Sequence, residues 1–175
     1  MPFPLAPFLV LLAPFVFLIF EGKKPREFAR ALSLHDNKPL PTLKLAVSLF
    51  ARIFVALLVV SFVLRFLGLF DTQKVVEVIK SVPSYYLFLA VAIAPVGEEL
   101  LFRGYLQKRF GIVLSSLFFA VLHYCYGSVS EIIAAFVVSI LFGLHLRKHN
   151  NLSACILAHA AYNLMTILIV SAVSM

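Results

Sequence analysis

Charged side chains are scarce in this sequence. Asp, Glu, Lys and Arg make up 13% of its 175 residues, whereas 62% are hydrophobic. The few charges are gathered into short stretches between long apolar runs. A soluble domain cannot hide this much apolar surface, because folded globular proteins keep a large polar exterior. The composition therefore excludes an ordinary soluble domain and predicts a membrane protein.

Cysteine is also rare, with Cys125 and Cys155 as the two examples. In the topology predicted below they lie near opposite membrane faces, so we do not expect a disulfide between them. The formal net charge is +7, and it comes from Lys and Arg in short loops. The clustered basic surface of a nucleic-acid-binding protein is lacking. We therefore expect the lipid bilayer as a partner, and no nucleic acid.

The apolar runs predict an all-α fold, a polytopic transmembrane bundle of about six membrane helices. About 20 apolar residues in a helix cross the hydrocarbon core of a bilayer. The Pro-Leu-Pro sequence at 39–41 predicts a break before the second helix, and residues 71–81 predict an amphipathic helix in the interface. The predicted membrane helices are 4–20, 43–70, 85–109, 111–124, 129–147 and 152–173.

The distribution of Lys and Arg between the loops predicts the orientation, since short cytoplasmic loops carry an excess of both. With the N-terminus outside, only Lys74 and Lys80 fall on the outer side. We therefore expect a cell-membrane, multi-pass protein with cytoplasmic basic loops. The residues then placed inside are Lys23, Lys24, Arg26, Arg30, Lys38, Lys44, Lys108, Arg109, Arg147 and Lys148.

The third predicted helix contains Glu98, Glu99 and Arg103. A charge at the bilayer centre costs at least ~2.5–3.5 kcal/mol, so such residues are functional candidates. The i,i+4 spacing places Glu99 and Arg103 on one face, while Glu98 points ~100° away. We expect Glu99 and Arg103 to pair and Glu98 to be available for chemistry. The alternative is a cluster whose long side chains extend to the interface.

Pro95 and Gly97 precede these charges and predict an opened helical turn, because proline cannot donate to the carbonyl of Val91. Non-helical backbone in a membrane is tolerated where it is buried in protein or lines a cavity. An ordinary packing kink is the alternative. The opened turn therefore supports a site only together with the neighbouring charges.

Three further polar residues lie on other predicted helices: His123, His159 and Asn163. His159 and Asn163 are four residues apart and share a face. Counted from the basic end of each helix, these residues and Glu98 all lie ~12–18 Å deep at ~1.5 Å per residue. Interhelical hydrogen bonding would explain each one singly. Their common depth favours a shared site.

Known protease chemistries can be compared with these residues. No glycine is followed two residues later by serine, as a serine-type nucleophile motif requires. The two aspartates, Asp36 and Asp71, fall outside the predicted spans, and no His precedes Glu, as the zinc motif His-Glu-x-x-His requires. A Glu, two His and an Asn suit water activated by a carboxylate base, with donors for the oxyanion.

The sequence resembles the CPBP family, the type II CAAX prenyl endopeptidases and abortive-infection-like intramembrane proteases. The resemblance covers roughly residues 94–164. It divides the chain into N-terminal membrane helices with a basic loop and an interfacial helix, 1–84, and a catalytic helix bundle, 85–175. The motifs that carry it are Glu98-Glu99-x-x-x-Arg103, Phe119-x-x-x-His123 and His159-x-x-x-Asn163.

The resemblance implies a role for each motif residue. Glu98 activates the attacking water and His123 helps to hold it. His159 and Asn163 face the oxyanion, while Glu99 and Arg103 orient the site. It also implies a membrane-anchored or lipidated protein or peptide as substrate, cut near its C-terminus. No cofactor is favoured; if zinc is used, its ligands are Glu98, His123 and His159.

Two other functions compete with this interpretation. A non-catalytic bacteriocin-immunity or scaffold protein could share the fold, but the complete set of motif residues favours catalysis. A proton-coupled transporter could also bury Glu and His. The sequence lacks the paired inverted halves and matching broken helices that mark many transporters.

Overall fold

The computed structural model describes residues 5–34 and 38–173. Those residues form helices and no strand, which confirms the all-α fold. The helices are α1 (Ala6–Phe20), α2 (Phe28–Ala31), α3 (Pro39–Phe66), α4 (Gln73–Ser81), α5 (Ser84–Ala92), α6 (Ala94–Glu98), α7 (Gln107–Leu122), α8 (Val129–His149) and α9 (Leu152–Val173). A π-helical segment, Glu99–Leu106, joins α6 to α7, and 3₁₀ turns occupy Pro25–Glu27 and His123–Tyr126. The predicted start of the first helix at Pro4 and the loop residue Asp36 lie outside the described residues.

The bundle is polytopic. Within the described residues, four helical runs are long and apolar enough to cross a membrane: α3, the 43-residue run Ser84–Tyr126, α8 and α9. A fifth results if α1 and the segment Pro25–Ala31, bent by 115° from it, are counted as one span. The run Ser84–Tyr126 contains the third and fourth of the six predicted helices, and α1 is counted as a span only together with Pro25–Ala31.

The run Ser84–Tyr126 folds back on itself at Gly111. Gly111 has φ +78° and ψ 175°, a conformation that glycine adopts without steric cost. On either side of it, Ser115 Oγ donates to the carbonyl of Phe102 at 2.7 Å, and the rings of Phe102 and Phe119 meet edge to face at 5.2 Å. The two arms therefore run antiparallel, as the third and fourth predicted helices would.

Helix α3 begins at Pro39, where the sequence analysis predicted a break at 39–41. That prediction was wrong because proline is favoured in the first turn of a helix, where its missing N–H would have no partner. The helix ends at Phe66 instead of residue 70, just before Gly68 with φ +70°. The amphipathic helix α4 then lies within the predicted 71–81.

The predicted third helix, 85–109, is divided before its charged turn. Helix α5 ends at Ala92, and α6 starts at Ala94 with Pro95 in its first turn. Gly97 does more than loosen the backbone: a Cβ there would lie 2.8 Å from the backbone nitrogen of Leu11. Small residues let membrane helices approach closely. Gly97 thus allows α1 to pack directly against the backbone of α6.

Several hydrogen bonds and ion pairs gather the basic segments at one end of the bundle. Lys108 Nζ donates to the carbonyl of Ala31 at 2.6 Å and to Ser33 Oγ at 2.8 Å, and Asn151 Nδ2 donates to Thr42 Oγ1 at 2.9 Å. We call this the basic end; it contains residues 21–34, the turn at Gly111 and the α8–α9 turn. The grouping of these segments agrees with the loop charges.

Glu21 joins α1 to the two antiparallel arms of Ser84–Tyr126, which we call the hairpin, at the basic end. Its carboxylate accepts from Tyr105 Oη at 2.7 Å and from Arg109 Nε at 2.8 Å. The hydrogen bond from Arg109, followed by that from Tyr105, lowers the pKa of Glu21. The end of α1 is therefore fixed to the arm that carries Glu98 and Glu99.

The opposite end is organised by Asp71, between α3 and α4. Its carboxylate accepts from Ser128 Oγ at 2.8 Å and from the amides of Val129 and Ser130 at 2.9 Å each. These amides belong to the first turn of α8, whose N–H groups lack partners within the helix. Ser128 Oγ also accepts from the Glu131 amide at 3.1 Å and so caps the first turn of α8.

Asp71 should make stability depend on acid pH. The amide of Ser130 and then that of Val129 hold the pKa of Asp71 well below its ordinary value. Because the folded pKa is depressed, this stabilisation is complete above the unfolded pKa of ~3.9 and is lost as pH falls through the folded pKa. Circular-dichroism melting in detergent should show that Asp71→Asn lowers the melting temperature at pH 7 and lessens the further fall below about pH 5.

The matched control is Glu77→Gln, which removes an exposed carboxylate from α4 at the same end without touching the cap of α8. It should keep the wild-type melting temperature and pH profile. If Asp71→Asn behaves like Glu77→Gln, the capping interaction contributes nothing measurable to the fold.

Candidate active site

A buried ion pair lies at the centre of the bundle. Glu99 Oε2 is 3.3 Å from Arg103 Nε, and the two side chains are 0% and 1% exposed. The i,i+4 pair expected from the sequence therefore exists, inside the protein instead of at an interface. Moving both charges out of water is costly, so such a pair persists only where its surroundings hold it.

The backbone around this pair is π-helical from Glu99 to Leu106. Single π-helical turns within α-helices are rare and are frequent at functional sites. The apolar periodicity of the sequence predicted a continuous helix here and gave no sign of the wider turn. It separates Glu99 from α6, where Glu98 is the last residue.

Aromatic rings surround the guanidinium of Arg103. Its Cζ lies 4.3 Å from the ring centroid of Phe119 on α7 and 5.0 Å from that of Phe142 on α8. The guanidinium nitrogens find no hydrogen-bonding partner among the described residues. Cation–π attraction is strongest where water is excluded, and here it supplements the pairing with Glu99.

His159 on α9 connects the two glutamates. Its Nδ1 is 2.9 Å from Glu99 Oε1, and its Nε2 is 3.7 Å from Glu98 Oε2. An ionised carboxylate has no proton to donate and can only accept a hydrogen bond. The Nδ1 of His159 therefore carries the proton. The buried Glu99 thus fixes the imidazole with its Nε2 toward Glu98.

Glu98 differs from Glu99 in its exposure. Its side chain is 24% exposed, whereas that of Glu99 is fully buried. Glu98 Oε2 and His159 Nε2 are close enough for both to contact one water molecule. Of the two carboxylates, Glu98 is the one that a water or a substrate can reach.

His123 begins the 3₁₀ turn after α7. Its Nδ1 is 2.9 Å from the carbonyl of Phe119, so this nitrogen donates and Nε2 is free to accept in the neutral ring. The ring of Phe119 lies between the two imidazoles, 4.6 Å from His123 and 6.1 Å from His159 between centroids. Phe119 therefore separates the two histidines and packs against both.

Asn163 makes a backbone contact. Its Nδ2 donates to the carbonyl of Ala90 at 2.8 Å, in the last turn of α5. The final carbonyls of a helix lack intrahelical partners, so this bond ties α9 to the break before α6. One N–H of the amide stays available for another acceptor.

The predicted residues thus form an inner group and two neighbours. Glu98, Glu99, Arg103 and His159 contact one another, while His123 adjoins them through Phe119 and Asn163 supports the break in the helix. Phe142, for which the sequence pattern predicts no role, packs on Arg103 and lies 5.4 Å from His159. No local signal distinguishes it among 18 phenylalanines.

Glu98, His123 and His159 are the candidate ligands for a metal ion. Among the described residues, no group of three or more His, Cys, Asp or Glu side chains is arranged to hold a metal ion. The conditional zinc ligands Glu98, His123 and His159 do not form such a group, although the contact of His159 Nδ1 with Glu99 leaves its Nε2 free.

A polytopic helix bundle with a buried ion pair and a buried histidine between its helices defines a membrane protein with an internal polar site. Residues 80–165 match the family described as "Type II CAAX prenyl endopeptidase Rce1-like". This match confirms the resemblance drawn from the motifs.

A curated relative, an "Uncharacterized protein" of Mycoplasma capricolum subsp. capricolum, is 36% identical over 96 residues. The match covers 50% of this chain and 28% of the relative, so most of that relative's length has no counterpart in the aligned region. No solved structure matches the chain.

Removing one partner of the buried pair of Glu99 and Arg103 should destabilise the folded protein. Arg103→Met leaves the Glu99 carboxylate buried without its cation, and we expect a loss of about 3–5 kcal/mol of stability. The double variant Glu99→Gln/Arg103→Met removes the unpaired charge and should lose less. Unfolding in detergent followed by circular dichroism measures both.

Arg65→Met is the matched control, because Arg65 is exposed and stacks 4.1 Å from the ring of Phe70 without a buried anion. Its loss should stay near the ~0.5–1 kcal/mol of an exposed cation–π contact. Equal losses for Arg103→Met and the double variant would mean that the unpaired charge is not the source of the instability.

Proposed function

We propose that the chain is an intramembrane endopeptidase that hydrolyses a peptide bond in a membrane-held or lipidated substrate, near its C-terminus. The observation that carries the proposal is the partly exposed Glu98 carboxylate, 3.7 Å from His159, whose ring is fixed by the buried Glu99. The match of residues 80–165 to a peptidase family supports the same reaction class.

In the proposed reaction Glu98 acts as general base. It takes a proton from a water molecule while the water oxygen bonds to the carbonyl carbon of the substrate. The free Nε2 of His123 can accept the second hydrogen of this water and orient it. The protonated Glu98 then gives its proton to the amide nitrogen, and the C–N bond breaks.

The negative oxygen of the tetrahedral intermediate requires donors. Asn163 has one amide N–H beyond its bond to Ala90, and His159 can donate from Nε2 when its ring carries both protons. Donors held in place before the reaction act strongly in a site without bulk water. Glu99 and Arg103 orient His159 and do not touch the substrate.

The substrate class follows from the surroundings of the site. The outward faces of the long helices are apolar, and α3 exposes Val55, Leu58, Val59 and Phe62. A substrate that reaches Glu98 laterally must therefore be compatible with lipid, as a lipidated C-terminal segment is. We further propose that the basic end faces the cytoplasm, following the positive-inside rule.

The first test of this function is Glu98→Gln. The amide has nearly the same shape but cannot take the proton from water, so cleavage should fall about 10²–10⁴-fold while the fold is retained. The assay uses purified full chain and a membrane-anchored peptide library, with mass spectrometry of the products.

Glu77→Gln is the control, since it removes an exposed carboxylate on α4, which lies outside the site. It should cleave like the wild type. If water activated by Glu98 suffices, both proteins should also keep their activity in the presence of a chelator. Undiminished cleavage by Glu98→Gln would contradict the assignment, and loss of wild-type activity on chelation with rescue by zinc would contradict the metal-free reaction.

The second test concerns α9. If His159 and Asn163 stabilise the oxyanion, replacing either by Ala should lower kcat about 10²–10³-fold with KM nearly unchanged. If they only join helices, each is worth ~0.6–2 kcal/mol and the loss appears as instability. The Asn163–Ala90 bond predicts that Asn163→Ala shows part of this instability.

Melting temperature and turnover must be measured on the same Ala variants. Thr166→Ala, three residues beyond Asn163, is the control on α9. It removes a hydroxyl that donates to the carbonyl of Tyr162. It should preserve turnover. Normal turnover by the folded fraction of both site variants would assign them a purely structural role.

A further inference from the structure

An open cleft lies at the basic end of the bundle, away from Glu98. Its volume is about 390 Å³, and it is formed between the turn at Gly111, the end of α8 and the segment at Ser33. Its lining residues are Ser33, Gln107, Lys108, Gly111, Ile112, Leu146, Arg147 and Asn150. None of these belongs to the candidate active site.

Among the described residues that line the cleft, two are positively charged and none is negatively charged. Lys108 is held in place by the Ala31 carbonyl and Ser33 Oγ, which leaves one of its three N–H donors for a ligand. Arg147 is exposed at the rim, where its guanidinium can present two parallel donors. An ammonium held in place and an exposed guanidinium in one cleft suit an anion with several acceptor oxygens, such as a phosphate.

The surface next to the cleft is apolar and faces outward. Phe110 is 50% exposed, Val113 64% and Leu117 48%. Val113 and Leu117 are one helical turn apart and lie on the same side of α7. They start beside Gly111 and continue along α7, away from the basic end of the bundle.

We propose that the cleft binds the phosphate headgroup of an anionic phospholipid, with an acyl chain along Val113 and Leu117. Lys108 and Arg147 bind the phosphate oxygens, while Gln107, whose Nε2 donates to the Gly143 carbonyl at 3.0 Å, shapes the inner wall. The cationic cleft alone would suit a free anion. The adjoining outward apolar stripe favours the lipid.

This site joins the Gly111 turn to the end of α8, and its occupant would brace the hairpin that carries Glu98 and Phe119. It does not depend on the proposed peptidase reaction, since binding can be measured without any substrate. Failure of either proposal is therefore distinguishable from failure of the other.

The test is native mass spectrometry of the purified full chain with dioleoylphosphatidylglycerol or dioleoylphosphatidylcholine, and with inorganic phosphate in a third arm. We expect the wild type to retain one phosphatidylglycerol in preference to phosphatidylcholine. Arg147→Gln should weaken that binding roughly tenfold, as expected for a lost charged hydrogen bond. Lys148→Gln, an exposed neighbouring cation outside the lining, should leave it unchanged.

Lys108→Gln should abolish the preference, and circular dichroism establishes whether that variant is folded, because Lys108 also holds Ala31 and Ser33. Arg147 makes no such structural bond within the described part of the chain, so its variant keeps the test decisive. Equal retention of both lipids, equal effects of Arg147→Gln and Lys148→Gln, or displacement of the lipid by inorganic phosphate would overturn the proposal. Displacement by a peptide with a free C-terminal carboxylate, but not by its amide, would assign the cleft to substrate and overturn it as well.

Discussion

The ion pair between Glu99 and Arg103 constrains everything around it, because two charges with 0% and 1% exposure survive only in surroundings made for them. Two phenylalanine rings enclose the guanidinium, and the imidazole of His159 takes the second oxygen of the carboxylate. Each of these partners comes from a different segment of the chain. The pair therefore requires that α7, α8 and α9 all be in place, and in return it fixes the orientation of His159 beside Glu98.

The fold supplies these partners through a reversal at Gly111. The antiparallel return brings Phe119 over Arg103 and leaves His123 one turn farther on, where the helix tightens into a 3₁₀ turn. The hairpin is held at one end by Glu21 and Lys108, while Asp71 fixes the start of α8 at the other end of the bundle. Polar contacts outside the apolar slab thus set the depth at which the internal site lies.

The sequence predicted the parts of this site that follow from local spacing and failed where the answer depends on long-range packing. The spacing of Glu99 and Arg103 predicted their ion pair. The common depth of Glu98 and His159 predicted that these two residues lie close together. The π-helical turn has no local signature, since its apolar pattern still fits an α-helix. The ring of Phe142 comes from 39 positions farther along than Arg103, and nothing but the packed bundle selects it among the other phenylalanines.

Through its contact with Gly97, the N-terminal helix α1 helps to position the site. A methyl group there would collide with the backbone of Leu11, so the turn that ends in Glu98 is pressed against the main chain of α1 and not against flexible side chains. Main chain is the one component of a helix that substitution leaves unchanged. The side chains of α1 can consequently be substituted without displacing the backbone that packs behind Glu98. A helix outside the segment matched to the family can keep its mechanical role while its sequence becomes unrecognisable.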